Sequence, residues 1–199
     1  MAWKHKAEPM NAQNNFHIIS GGPGSGKSSL LMALKDQGYT TMPEAGRAII
    51  QDQVASGGSA LPWADRLAFA ELMLACELRS YHEAGSLVGP VFFDRGAPDV
   101  VGYLLVCGLD VPAHIATAVE KFRYNRRVFI APPWREIFHE DEERKQTWAE
   151  AVATFESMVA TYEALGYDIA LLPLAPVAER AAFVREHMTV PCKTSRHLL

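Results

Sequence analysis

Residues 17–31, HIISGGPGSGKSSLL, set four glycines and a lysine between two apolar runs. Gly21, Gly26, Lys27 and Ser28 satisfy the pattern G-x-x-x-x-G-K-[S/T], with Gly22, Pro23, Gly24 and Ser25 between them and Ser29 following. A glycine-dense turn is costly to order, so the chain must gain something that only glycine supplies. Without Cβ atoms, several backbone N–H groups can turn inward around one anion and approach it closely. The start of the following helix adds a partial positive charge aimed at the same place. Lys27 then reaches the β- and γ-phosphates of a nucleotide, and the Ser28 hydroxyl is placed to ligate Mg²⁺. No G-x-S-x-G elbow surrounds Ser28, which speaks against a hydrolase nucleophile.

Three further stretches carry residues able to act on a bound triphosphate. FFDRG places Asp94 at the end of an apolar strand, where ligands collect in open α/β sheets. A carboxylate there can hold Mg²⁺ or take a proton from a substrate hydroxyl, and Arg95 beside it can grip a phosphate or carboxylate. MPEAGR places Glu44 and Arg47 after another strand. Glu44 is a candidate general base or, alternatively, an acid favoured in the first turn of a helix, and Arg47 is a candidate phosphate or acceptor clamp. The segment Trp134–Gln146 holds Arg135, Arg144 and Lys145 among acids. It reads as an arginine-bearing lid that closes on the phosphates and keeps water out, with Arg144 its principal cation. Its i,i+4 pairs, Glu140 with Arg144 and Asp141 with Lys145, equally suit a solvated helix face. Trp63 and Arg66, near the start of a long helix, are candidate acceptor contacts, with core packing the alternative for Trp63.

The elements that position these residues follow from hydrophobic patterning. Short apolar runs at Phe16–Ser20, Tyr39–Met42, Val91–Asp94, 126–133 and 168–174 read as five strands. Helices are expected over Lys27–Lys35, Gly46–Val54, Trp63–Ala84, 99–108 and 177–188. Another is marked by Trp148, Val152, Phe155, Val159, Tyr162 and Leu165, whose steps of three or four form one apolar stripe. Apolar strands alternating with helices predict an α/β fold: a three-layer arrangement of a parallel sheet with helices on both faces. The first 14 residues read as a flexible leader, 15–190 as a single domain with its lid at about 134–146, and 191–199 as a tail.

The chain has 199 residues, a formal net charge of −4 and a hydrophobic fraction of 49%. A mildly acidic chain without basic runs argues against nucleic acid or anionic membrane as its partner. Three well-separated cysteines, Cys76, Cys107 and Cys192, read as free thiols, and seven scattered histidines lack metal-ligand spacing. No run approaches the length of a membrane span, and the polar N-terminus without an apolar signal core predicts a cytoplasmic protein.

GGPGSGKSS, PEAGRAIIQ, FFDRG followed by PD and GYL, and RRVFIAPPWREIFHEDEERKQTW together resemble one family. They are similar to the NadR-like AAA-domain proteins, P-loop ATPases or kinases related to nicotinamide-riboside kinase domains, over about Phe16–Met188. The resemblance implies a kinase-type P-loop fold with parallel strand order 2-3-1-4-5. It matches Asp94 to the acidic residue of the Walker B-like strand, Arg144 to the lid arginine, and Glu44 to the position of the base in deoxynucleoside-kinase relatives. The reading that results is an ATP- and Mg²⁺-dependent phosphotransferase acting on a small nucleoside-like or other hydroxylated acceptor. Lys27, Glu44, Asp94, Arg95 and Arg144 are its catalytic candidates. An ATPase coupled to a protein partner and a nucleotide-binding regulatory module are the alternatives. The absence of an N/T-K-x-D motif leans against a Ras-type GTPase.

Overall fold

The computed structural model describes residues 15–138 and 147–188. Five strands, β1 (Phe16–Gly21), β2 (Thr40–Met42), β3 (Val91–Asp94), β4 (Arg127–Ala131) and β5 (Asp168–Leu171), alternate with helices along the chain. All pair in parallel, in the order β2-β3-β1-β4-β5. The expected order is therefore the observed one. β1 is central and buried along its whole length, which is why it reads as a nearly unbroken apolar run.

Strand alternation divides the sheet into two packed faces. Phe16 and Ile18 of β1, Val91 and Phe93 of β3, and Val128 and Ile130 of β4 point to one side. There they meet Leu74 of α3 (Arg66–Ala84), Leu104 of α4 (Ala97–Val106), Ile115 of α5 (Ala113–Lys121) and Met158 of α6 (Trp148–Ala164). Ile19, Phe92 and Phe129 point to the other side, against Leu30 and Leu34 of α1 (Lys27–Asp36) and Val184 of α7 (Val177–Met188). A smaller cluster of Ile49, Ile50, Leu61 and Phe69 ties α2 (Ala45–Ser56) to α3.

Two elements differ from expectation. The long helix begins at Arg66 rather than Trp63, because Asp65 caps it by accepting a hydrogen bond from the Ala68 N–H at 2.9 Å. This leaves Trp63 in the preceding turn. α5 went unread: its apolar residues Ile115, Ala118 and Val119 make too short a stripe to stand out, and it starts directly after Pro112. The anticipated leader, the tail and residues 139–146 of the lid, Arg144 and Lys145 among them, lie outside the described residues. No helix among the described residues is long and apolar enough to cross a membrane.

Candidate active site

Strand register brings the separate motifs to one edge. β1 ends in the glycine loop, and its parallel pairing with β3 sets Ile19 beside Asp94, so the loop and the strand-end acid emerge together. The loop passes into α1 at Gly26, whose φ of 75° is left-handed and suits glycine. A Cβ on Gly26 would also lie 2.6 Å from Arg180 Nη1 and 3.0 Å from Ile137, and one on Gly21 would lie 2.4 Å from the Ala131 carbonyl oxygen. The glycines are thus demanded by close packing as well as by backbone shape.

Lys27 is buried and donates from Nζ to the carbonyl oxygens of Gly22 at 2.7 Å and Gly21 at 3.2 Å, while Ser25 Oγ donates to Gly22 at 2.8 Å. Ser28 and Ser29 are exposed in the first turn of α1. Asp94 is buried, and its Oδ1 has no hydrogen-bond partner. Burial pushes the Asp94 carboxyl above its usual range, against the pull of nearby Lys27. An orphaned carboxylate oxygen beside a phosphate cradle suits a cation there. Among the described residues no group of three or more His, Cys, Asp or Glu gathers as a metal site.

Arg95 follows Asp94 with φ 73°, a left-handed conformation that costs a non-glycine residue roughly 1–2 kcal/mol. The turn is held by the Arg95 N–H donating to Ile19 O at 3.0 Å, and it accompanies a side chain engaged by two acids. Arg95 Nε donates to Glu44 Oε1 at 3.0 Å, and Nη1 donates to Asp99 Oδ1 at 3.2 Å. Burial alone would lower the Arg95 pKa, but Glu44, Asp99 and Asp94 outweigh it and hold the guanidinium charged. Asp99 is the hub of this network. Its Oδ1 also accepts from Ser20 Oγ at 2.5 Å, and its Oδ2 accepts from Tyr162 OH at 2.5 Å and from the Gly96 N–H at 3.0 Å.

The network forms part of the wall of a cavity of about 800 Å³ that reaches Pro23 of the glycine loop. Glu44, Arg95 and Asp99 stand in this wall, with Ile50, Phe69, Val100 and Met158 supplying apolar surface. Trp63 and Arg66 line it too. Trp63 is 56% exposed, so its alternative role in the core is not realised. Arg47 is exposed on α2 and is not among the lining residues. In the described part of the lid, the Phe138 ring lies against Gly24, and Arg135 sits over the Trp148 ring at 5.0 Å.

Asp99, Tyr162, Glu77 and Arg180 were not singled out as site residues. Tyr162 counted among the apolar stripe of its helix, and nothing local distinguishes its hydroxyl. Glu77 carried a weak signal: a lone acid on the face of α3 that also buries Ala70 and Leu74. Arg180, 3% exposed on α7, donates to Ser25 O at 3.0 Å and Gly26 O at 3.2 Å from more than 150 residues away in sequence. Only folding brings it to the loop.

The family model described as AAA domain matches residues 16–180. No curated protein sequence matches the chain. Among solved structures, NadR protein in complex with NR superposes with a TM-score of 0.65 at 16% identity, covering 90% of this chain and 52% of the NadR chain. This chain thus spans about half the length of that relative. Deoxyadenosine kinase from M. mycoides with bound dATP matches with a TM-score of 0.59 at 13% identity, covering 86% of this chain and 97% of the other. Thymidylate kinase from Ehrlichia chaffeensis matches with a TM-score of 0.56 at 15% identity, covering 87% of this chain and 97% of the other. These likenesses establish a shared fold, and the family match running from the first strand into the last helix shows that this chain belongs to the AAA-domain family of P-loop proteins.

Proposed function

We propose that the protein is an ATP- and Mg²⁺-dependent phosphotransferase whose acceptor is a small nucleoside-like or other hydroxylated molecule. The observation that carries this reading is the Glu44–Arg95–Asp99 network standing in the wall of a cavity that opens beside the glycine loop. A hydrolase or switch needs the loop; it does not need a second chamber of about 800 Å³ with a carboxylate poised in its wall. The nucleotide and its cation supply the phosphoryl group and neutralise part of its charge.

The chain's own residues do the rest by position and electrostatics. The loop amides from Gly21 to Ser29 and Lys27 hold the phosphates, and Ser28 and Asp94 hold the cation. Glu44 accepts the proton of the acceptor hydroxyl, and its ion pair with Arg95 fixes its orientation. Asp94 is the other candidate for that proton. Arg95 also supplies positive charge close to the transferred group. Arg144 and Arg135 of the lid are proposed to add charge and shed water, and Trp63, Arg66 and Arg47 to contact the acceptor side. We place the protein in the cytoplasm as one catalytic domain, 15–190, without nucleic acid or membrane as partner.

The test is ADP release from ATP·Mg²⁺ across a panel of nucleosides, nicotinamide riboside among them. Acceptor-stimulated release, lost in Lys27→Ala with the fold retained, is the expected result. Release that ignores every acceptor and rises with a protein partner would favour the coupled ATPase, and tight binding with negligible turnover would favour a regulatory module.

A further inference from the structure

Glu77 lies midway along α3 and is 6% exposed, yet its side chain reaches the wall of the cavity. It has no hydrogen-bond or ion-pair partner among the described residues. A buried carboxyl without a partner costs free energy that the fold does not recover by itself. Among nearby charges Arg95 favours the Glu77 carboxylate at a distance, while Asp99, Glu44 and Asp94 oppose it. Arg95 is already taken by Glu44 and Asp99, and Arg66, on the first turn of α3, donates its Nε to Pro62 O at 3.1 Å. An unpaired polar group facing a ligand-sized space is what a binding cavity retains in order to recognise its occupant.

The charges lining the cavity narrow the occupant further. Among the described lining residues the acids are Glu44, Glu77, Asp99 and Glu150, and the bases are Arg66 and Arg95. The only base of the two within the carboxylate network is Arg95, and both of its carboxylate partners stand in the same wall. Four acids against two bases favour an occupant that offers hydroxyl or amino donors. Resting on the phosphotransfer reading, we infer that Glu77 selects the acceptor, its carboxyl hydrogen-bonding a hydroxyl or amino group of that molecule.

Burial, reinforced by Asp99, pushes the Glu77 carboxyl well above its usual range. This sets it apart from Glu44, whose Oε1 accepts from Arg95 Nε at 3.0 Å.

The experiment uses the full chain and the same nucleosides. Turnover is followed by ADP release, and binding to protein loaded with a non-hydrolysable ATP analogue is followed by calorimetry. Glu77→Leu should raise the KM and Kd of the nucleosides about tenfold or more, with kcat within about threefold and KM for ATP unchanged. Glu77→Gln, which keeps a donor and an acceptor, should recover most of the loss. An unchanged Kd for nucleosides in Glu77→Leu, absence of binding by every nucleoside, or a Glu77→Leu effect confined to kcat would each overturn the inference. If nucleosides bind and Glu77→Leu weakens them but ADP is never released, the Glu77 assignment stands and the phosphotransfer reading falls.

Discussion

Asp99→Asn keeps the shape of the side chain and removes the charge that four donors share. Two donors reach each oxygen: Ser20 Oγ and Arg95 Nη1 on Oδ1, and Tyr162 OH and the Gly96 N–H on Oδ2. The hydroxyls of Ser20 and Tyr162 can rotate and accept instead, but neither Arg95 nor the Gly96 N–H can. Whichever way the new amide turns, its NH₂ therefore faces one obligatory donor, leaving a buried group unsatisfied at a cost of about 1–3 kcal/mol. Arg95 also loses one of its two anionic partners at a site where its side chain is 13% exposed. Breaking such a pair outright costs about 3–5 kcal/mol; with Glu44 still in place the total should fall near 3 kcal/mol. At about 2–4 °C per kcal/mol for a chain of this size, the midpoint of thermal unfolding should drop by roughly 6–12 °C. Circular dichroism melts of wild type, Asp99→Asn and Tyr162→Phe read this directly. Tyr162→Phe removes one rotatable donor and should lose only about 1 kcal/mol. In the activity assay Asp99→Asn should also lower kcat, because Arg95 is no longer held from both sides. A melt within 2 °C of wild type, or a Tyr162→Phe loss as large as that of Asp99→Asn, would refute the argument that the charge at residue 99 organises the site.

Two other expectations are independent of that network. His17 is 2% exposed, stacks on Phe92, has an Nδ1 without a partner, and has its pKa lowered by burial from 6.5 to about 4. Between those values the unfolded chain binds a proton that the folded one refuses. Stability is therefore full above pH 6.5 and falls as pH falls toward 4, by about 3 kcal/mol. His17→Leu should flatten that limb in urea titrations across the range, and an unchanged pH slope would contradict it. Arg180→Met removes two hydrogen bonds that hold the Ser25 and Gly26 carbonyls. Losing the equivalent of one charged hydrogen bond should raise the Kd for nucleotide about tenfold in calorimetry, and an unchanged Kd would mean the loop keeps its shape alone.

Local patterning was enough for much of this molecule. A glycine loop between an apolar run and a helix announces itself because its chemistry is backbone chemistry, contained within eight residues. Five apolar runs announce a parallel sheet because both of its faces are covered. Glu44, Asp94 and Arg95 were legible because they stand at strand ends, and a parallel sheet carries all its strand ends of one kind to one edge. The strand order came from the resemblance to NadR-like proteins, since periodicity does not say which strand lies beside which. Trp63 and Arg66 line the cavity, but Trp63 could not be told from a core residue until Asp65 was seen to cap the helix behind it.

What tertiary structure alone decided is which side chains meet. Tyr162 and Asp99 are 63 residues apart, Arg180 and Ser25 are 155 apart, and nothing in any of these local sequences specifies its partner. Side-chain hydrogen bonds depend on distances of tenths of an ångström, set jointly by strand register, helix packing and the left-handed turn at Arg95. A sequence can state that a phosphate loop exists and where its acids rise. The cavity beside it, and the unpartnered glutamate in its wall, exist only once α2, α3, α4 and α6 have packed around the sheet.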